Sequence, residues 1–313
     1  MKTNLILLKS FSLIRHRYNM DPTSMKNLIK ICIPPLDKSS HKGQAGRIGV
    51  IGGSLEYTGA PYFAGISSLK VGADLAHIFC SSVASAVIKS YSPELIVHPL
   101  LDKQDAVEEI LPWFDRLHSI VIGPGLGRDW QTFDIIEKLI EVIKQKKIPI
   151  IIDADGLFLI TEKPNLIKDF DSPVILTPNK IEFERLSNKI DVQTMGKNVT
   201  ILKKGPNDEL ISPFPEFTWS LETGGSGRRC GGQGDLLSGT IATFMHWTLA
   251  NIDKIKIPDI SNNKMLAASL SCYAACILVR KCNEKAFKLK GRSMLATDMI
   301  EFIHDAFEEL YDQ

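Results

Sequence analysis

The sequence contains no run of 18 or more apolar residues, which argues against a membrane-spanning helix. It also lacks any surplus of positive charge, since 37 Lys and Arg stand against 36 Asp and Glu for a net charge of +1. Binding a nucleic acid backbone by releasing its counterions requires such a surplus, so no nucleic acid partner is expected. The six Cys, at 32, 80, 230, 272, 276 and 282, include no C-x-x-C pair, and a chain of 313 residues is far longer than a disulfide-stapled miniprotein. Reduced thiols follow from this. Cys272 and Cys276 sit four apart on a predicted helix and read either as small core residues or as metal ligands. Neither H-E-x-x-H, nor G-x-G-x-x-G, nor G-x-x-x-x-G-K-[ST] occurs, so a zinc-protease helix, a standard Rossmann fingerprint and a P-loop are all unsupported.

At 44% hydrophobic and 23% charged residues, the chain has the composition of an ordinary globular protein, long enough for one large α/β domain or two smaller ones. No internal repeat, low-complexity stretch or long linker divides it, which favours one domain over residues 28–313 after an extension at 1–27. The first twenty residues carry Lys2, Lys9, Arg15 and Arg17 without an acid, and Lys9 interrupts the apolar stretch from Leu5 to Leu8. That pattern fits a mitochondrial import sequence better than a secretory one, the alternatives being a tail or an extension upstream of a start at Met20 or Met25. A mitochondrial location, a cytoplasmic one or both are the expectation.

From Arg47 onward, β-branched runs alternate with amphipathic stretches and stop at Gly, Pro or Asp, the punctuation of βαβ units. Strands are predicted at Arg47–Ile51, Leu75–Phe79, Ser119–Ile122, Pro149–Ile152, Val174–Leu176 and Val199–Leu202, mostly as the continuous apolar runs of a parallel sheet covered on both faces. Helices are predicted at Pro61–Val71, Gln131–Lys146, Asp235–Trp247, Asn263–Cys282 and Thr297–Leu310, the last with Thr297 as its N-cap. Open α/β sheets collect ligands at the carboxyl ends of their strands. The residues that follow these strands are polar or glycine-rich: Gly52-Gly53-Ser54, Gly123-Pro124-Gly125-Leu126-Gly127, Asp153-Ala154-Asp155-Gly156, Thr177-Pro178-Asn179 and Lys203-Lys204-Gly205.

The sharpest feature is Gly231-Gly232-Gln233-Gly234-Asp235-Leu236-Leu237-Ser238-Gly239, a glycine turn running into an apolar helix. Unpaired N–H groups and the positive end of the helix dipole make such a turn an anion site, suited to a phosphoryl group in transfer. Asp235 at the helix start reads as a base for a substrate hydroxyl, with an ordinary pKa near about 3.9 that makes it weak in the ground state, or simply as an N-cap. Asn179 and Glu182, three apart after a strand, read either as oxygen ligands for Mg²⁺ through water or as a helix cap, and Asp153 and Asp155 allow a similar reading. Arg228-Arg229 and Lys203-Lys204 read as phosphate contacts or as solvated surface.

Several of these segments together resemble one family. They are His41-Lys42-Gly43-Gln44-Ala45-Gly46-Arg47, Tyr57-Thr58-Gly59-Ala60-Pro61, Lys70-Val71-Gly72-Ala73-Asp74-Leu75, Gly123 to Arg128, Asp153 to Leu157, Thr177 to Phe183 and Arg228 to Gly239. In this order they resemble the ATP-dependent NAD(P)H-hydrate dehydratases, and the R-R-C-G-G-Q-G-D-L-L-S-G form is similar to the eukaryotic, ATP-using branch. The resemblance implies a ribokinase-like fold, a three-layer α/β/α sandwich with a mainly parallel sheet. It implies repair of hydrated NADH and NADPH, in which ATP phosphorylates the C6 hydroxyl and phosphate then leaves. Asp235 would be the base, and Gly232, Gln233 and Gly234 the anion hole. Gly125, Asn179, Lys180, Ile181, Glu182, Phe183, Glu184 and Arg185 would contact the hydrated dinucleotide, with Tyr57 to Ala60 at its nicotinamide end. Lys203, Lys204, Gly205, Pro206 and Asn207, and Gly225, Ser226, Gly227, Arg228, Arg229, Cys230 and Gly231 through Gly234, would contact ATP. Asn179 and Glu182 would organise Mg²⁺. An epimerase acting on the same hydrates is the implied functional partner, and a homo-oligomer is compatible. The role of His41-Lys42-Gly43 does not follow from the sequence. A small-molecule kinase of the same fold, or a silent nucleotide-binding protein, would use the same Gly-Asp turn and differ in the acceptor pocket or in turnover.

Overall fold

The continuous apolar runs become the inner strands of one sheet. The computed structural model describes residues 21–39, 41–191, 194–257 and 262–311, so the basic stretch with Lys2, Lys9, Arg15 and Arg17 lies outside the described residues. Strands β1 (Arg47–Ile51), β2 (Leu75–Cys80), β3 (Leu95–Pro99), β4 (Ser119–Ile122), β5 (Ile150–Ile152), β6 (Val174–Leu176) and β7 (Val199–Lys203) pair in parallel. Strands β8 (Asp208–Ile211) and β9 (Trp219–Leu221) continue the sheet antiparallel. The order is β3-β2-β1-β4-β5-β6-β7-β8-β9, so the chain winds outward from β1, returns across it and winds the other way from β4. In register, Ile51 faces Ile122 and Ile152 faces Leu176, which brings the carboxyl ends of β1, β4, β5 and β6 level.

The helices are α1 (Pro22–Cys32), α2 (Gly59–Val71), α3 (Ser82–Tyr91), α4 (Ala106–Phe114), α5 (Trp130–Gln145), α6 (Ala154–Glu162), α7 (Lys180–Lys189), α8 (Gln233–Asn251), α9 (Asn263–Lys290), α10 (Ala296–Ile300) and α11 (Ile303–Tyr311). Alternate residues of the inner strands feed two separate cores. Ile48, Val50, Ile78, Val121 and Ile151 pack with Leu237, Ile241, Phe244 and Leu270 of α8 and α9. Ile51, Ile120, Ile122, Ile150 and Ile152 pack with Phe133, Ile136, Leu139 and Ile143 of α5. A sheet covered by helices on both faces is a three-layer α/β/α arrangement, the layering the resemblance implies, and burying apolar surface between layers contributes roughly 25 cal/mol per Å².

Several elements differ from the sequence reading. β3, β8 and β9 are missing from it because they lie on the outer parts of the sheet, where Pro99, Asp208, Glu209 and half-exposed positions break the apolar run. Helix α1 crosses the boundary drawn at residue 28, since Met25, Ile29 and Cys32 are buried in the core shared with α9 and Asp21 caps it from the preceding position. The last predicted helix is two helices. Thr297 is not its N-cap; α10 starts at Ala296, and the Asp298 carboxylate accepts the Leu295 N–H at 2.8 Å. Among the described residues α9 alone is long and apolar enough to cross a membrane, yet 83% of its apolar window is buried in the protein, as a central helix requires. Cys272 and Cys276 are buried on it as small core residues, and desolvation pushes both thiols up.

Candidate active site

The carboxyl ends of β4 to β7 are stitched together by main-chain bonds. Asp153 N donates to Ile122 O at 3.0 Å, Thr177 N to Ile152 O at 3.0 Å and Lys204 N to Pro178 O at 2.8 Å. This level edge presents Asp153 after β5, Asn179 and Glu182 at the start of α7, and Lys204 after β7. Facing them is the start of α8, where Gly232 takes the left-handed φ of 92° that favours glycine and serves as N-cap. The first bond of that helix runs from Leu236 N to Gly232 O at 2.9 Å, so the N–H groups of Gly232, Gln233, Gly234 and Asp235 precede the helical ladder. Asp235 is therefore the third residue of the helix, and the N-cap reading of it is excluded.

Lys204 lies at the centre. Its Nζ meets Asp153 Oδ1 at 2.6 Å, with side-chain exposures of 18% and 3%, and the two residues are 51 positions apart in the chain. A Cβ placed on Gly234 would sit 3.1 Å from Lys204 Nζ and 3.7 Å from Asp153 Oδ2, which puts the ion pair directly under the glycine turn. Burial works against the ammonium, but the adjacent Asp153, Glu182 and Asp235 outweigh it and hold Lys204 above its ordinary pKa. Asp235 is pushed up to about 7, first by burial and then by the charge of Asp153, against the pull of Lys204. The sequence expectation of an ordinary, weak carboxylate is thus overturned: desolvation and like charge exceed the helix-start effect, which acts in the opposite direction. Glu182 is also raised, chiefly by burial.

Asn179 and Glu182 form a capping box. Glu182 N donates to Asn179 Oδ1 at 3.0 Å and Asn179 N to Glu182 Oε2 at 2.8 Å, so one oxygen of each side chain serves the start of α7. In α7, Lys180, Ile181 and Glu184 are exposed, Phe183 packs on the core of the α5 side and Arg185 lies 5.9 Å over the Phe158 ring. Asp155, offered by the sequence as a second metal ligand, is instead a loop clamp: it accepts Gly127 N at 3.1 Å and Arg128 Nε at 2.9 Å.

At the point where the strand order reverses, Gly53 N donates to Gly125 O at 3.1 Å, joining the loops after β1 and β4. A Cβ on Gly125 would fall 2.5 Å from Tyr57 O, so the glycine lets the Tyr57 loop close over it. Tyr57 itself is exposed, and a Cβ on Gly232 would fall 2.8 Å from Phe63 of α2, which packs α2 against the glycine turn.

The segments expected from the sequence to contact ATP are held chiefly by bonds of their own. Lys203 pairs with Glu209 at 3.3 Å and covers the Phe183 ring at 5.3 Å. The arginines bond main-chain carbonyls: Arg228 Nη1 donates to Arg229 O at 2.9 Å and its Nε to Met294 O, before α10, at 3.3 Å, while Arg229 Nη1 donates to Ser226 O at 2.8 Å. Gln233 Nε2 donates to Arg228 O at 3.2 Å and Cys230 Sγ at 3.0 Å, closing the segment onto the helix start. His41-Lys42-Gly43 is remote from all of this. It precedes β1 at the amino edge of the sheet, where Gly43 and Ala45 N–H donate to Asp74 Oδ2 at 2.8 and 2.9 Å and Trp247 Nε1 to Ala45 O at 2.6 Å. The motif therefore folds the loop that leads into β1.

A doubly wound sheet with a glycine turn opposite its carboxyl edge is the architecture of the ribokinase-like proteins. A solved ribokinase-like superfamily protein from Enterococcus faecalis superimposes with a TM-score of 0.72 at 21% identity, covering 92% of this chain and 95% of its own. The ADP/ATP-dependent NAD(P)H-hydrate dehydratase of Bacillus subtilis, co-crystallised with ATP and Mg²⁺, gives a TM-score of 0.65 at 21% identity over 91% of this chain and 97% of its own. The family described as NAD(P)H-hydrate dehydratase matches residues 48–305. The ATP-dependent (S)-NAD(P)H-hydrate dehydratase of Aedes aegypti is 53% identical over 90% of this chain and 83% of its own length. That of Homo sapiens is 45% identical over 98% and 90%. The chain belongs to the NAD(P)H-hydrate dehydratase family.

Proposed function

We propose that the protein converts hydrated NADH and NADPH back to the reduced dinucleotides at the expense of ATP, with release of ADP and phosphate. The observation that carries the mechanism is Asp235, with its pKa raised to about 7, set in the first turn of α8 beside the Lys204–Asp153 pair. Asp235 accepts the proton of the C6 hydroxyl as that oxygen attacks the γ-phosphoryl group. A base titrating near neutrality suits this step, because it is available at pH 7 and still basic enough to drive transfer. The N–H groups of Gly232, Gln233 and Gly234 and the ammonium of Lys204 face the charge on the moving phosphoryl oxygens. Phosphate is a far better leaving group than hydroxide, and its departure from C6 with loss of a proton from C5 restores the ring double bond.

The loops at Gly125 and Tyr57 to Ala60 take the nicotinamide end, and α7 from Asn179 to Arg185 borders the dinucleotide. Residues 203–207 and 225–234 take ATP. Asp153, Glu182 and Asp235 crowd three carboxylates around the single ammonium of Lys204, an excess of negative charge that suits a divalent cation. Glu182, with Asn179 beside it, would hold Mg²⁺ there, since that ion prefers oxygen ligands and keeps much of its water. Bound there, Mg²⁺ supplies charge neutralisation to the nucleotide phosphates.

Lys2, Lys9, Arg15 and Arg17, with no acid among the first twenty residues, support import into mitochondria, while a start at Met20 or Met25 would omit them and give a cytoplasmic form. The test of function is incubation with hydrated NADH and Mg²⁺ plus ATP, ADP or no nucleotide. Recovery of reduced-nicotinamide absorbance with ATP alone is expected. ATP binding without recovery would overturn the reading in favour of a kinase with another acceptor.

A further inference from the structure

We infer that Arg280, with Asn283 one turn further along α9, is a positioning residue for ATP. It holds the two nucleotide segments in the relative placement that the ligand must bridge. The inference rests on the nucleotide assignment proposed above.

Residues 204–207 connect β7 to β8, and 222–232 connect β9 to α8; neither segment contains a strand or α-helix to fix it against the other. Arg280 reaches both. Its Nη2 donates to Gly205 O at 3.1 Å and to Pro206 O at 2.9 Å, and its Nη1 donates to Gly224 O at 3.1 Å. Its Nε donates to Asp208 Oδ2 at 2.6 Å, while Asp208 Oδ1 accepts Gly205 N at 3.2 Å, so the carboxylate braces the same loop from within. Asn283 Oδ1 accepts Ser226 N at 2.7 Å and fixes the second segment two residues beyond Gly224. The pair is well shielded, with side-chain exposures of 13% for Arg280 and 9% for Asp208.

The chemistry requires arginine. Three carbonyls and one carboxylate are met from one planar guanidinium, whose donors diverge in a fixed fork, whereas an ammonium on a flexible stem cannot meet all four. Most of these bonds end on loop main chain. The core contribution of α9 comes instead from Cys276, Leu278 and Cys282 on its buried face. Arg280 therefore acts on the placement of Gly205 and Gly225 for the nucleotide, and bonds neither Asp235 nor the loops at Gly125 and Tyr57.

The test uses the full chain and three variants. Arg280→Lys keeps a positive charge beside Asp208 but loses the fork. Titration calorimetry with Mg²⁺ and ATP should show binding weakened by about 10-fold or more, with a matching rise in KM for ATP. At saturating ATP, kcat and KM for hydrated NADH should stay within about two-fold of wild type, a split that general loosening of the fold would not give. Asn283→Ala, which frees Ser226 N–H and also removes the contact of Asn283 Nδ2 with Met299 Sδ, should weaken ATP in the same direction by a smaller factor. Millimolar guanidinium ion should restore ATP affinity to Arg280→Ala, and ammonium at the same concentration should not. Unchanged ATP affinity in Arg280→Lys overturns the inference, as does an equal loss for both substrates. If wild type binds ATP and Arg280→Lys binds it equally well, only this inference fails; if wild type does not bind ATP, the functional reading fails with it.

Discussion

Acidification should switch the reaction off through one carboxyl group. Asp235 stands at about 7 where an unperturbed Asp stands at 3.8, so below neutrality it holds the proton it would otherwise accept from the substrate. With one controlling group, kcat/KM should rise by about ten-fold between roughly pH 6 and pH 8 and level off above that. The perturbation that tests the cause is Asp153→Asn. It removes the like charge that raises Asp235 and frees Lys204, now 2.6 Å from Asp153, to act on Asp235; both changes favour the ionised base. The acid limb should move to lower pH by about one unit, even as the displaced lysine lowers kcat. The assay is the initial rate of absorbance recovery at subsaturating hydrated NADH and fixed ATP, buffered across that range. A flat profile in wild type would refute the assignment of Asp235 as base. A limb that Asp153→Asn leaves in place, or moves upward, would refute the electrostatic account of its pKa.

The same shift has a counterpart in stability. A folded pKa above the unfolded value near 3.8 means that the folded state holds the proton more tightly, so stability present below that value is lost as pH rises towards about 7. At roughly 1.4 kcal/mol per unit the loss amounts to about 4 kcal/mol at most. Asp235→Asn should therefore melt above wild type near pH 8, approach it in acid, still bind ATP and lose about 10²-fold or more in turnover; wild-type rates would remove the base. Gly234→Ala presses a methyl group on Lys204 Nζ from 3.1 Å, and should lower kcat with little change in melting temperature. Gly232→Val should instead fail by unfolding, because its Cβ points at Phe63 and Ala296 at 2.8 Å and not at the anion site; a folded but inactive variant would contradict this. Gly239→Ala would place a Cβ 1.9 Å from Ala64 O where α8 crosses α2, and should cost about 2 to 3 kcal/mol in denaturant unfolding with the active-site residues unaltered.

The inner strands were legible because a strand covered on both faces must be apolar throughout, and β1, β4, β5, β6 and β7 carry that signature in their own residues. The glycine turn was legible for a similarly local reason: Gly232 allows the left-handed turn, Gly234 puts no Cβ over the Lys204–Asp153 pair, and the apolar helix follows at once. The short outer elements were not, since β8 and β9 draw their stability from neighbours and not from their own apolarity. The capping box of Asn179 and Glu182 satisfies two backbone donors, and the sequence could not separate that use from a metal ligand's, because both need oxygen atoms at the same spacing. The decisive chemistry lay beyond sequence reading altogether. The pKa of Asp235 depends on desolvation and on Asp153, and Arg280 reaches loops more than 50 residues away. Periodicity and spacing report what a residue does with its chain neighbours. Burial, charge coupling and a guanidinium shared between loops arise only when the sheet brings distant segments to one edge, and there tertiary structure alone decides.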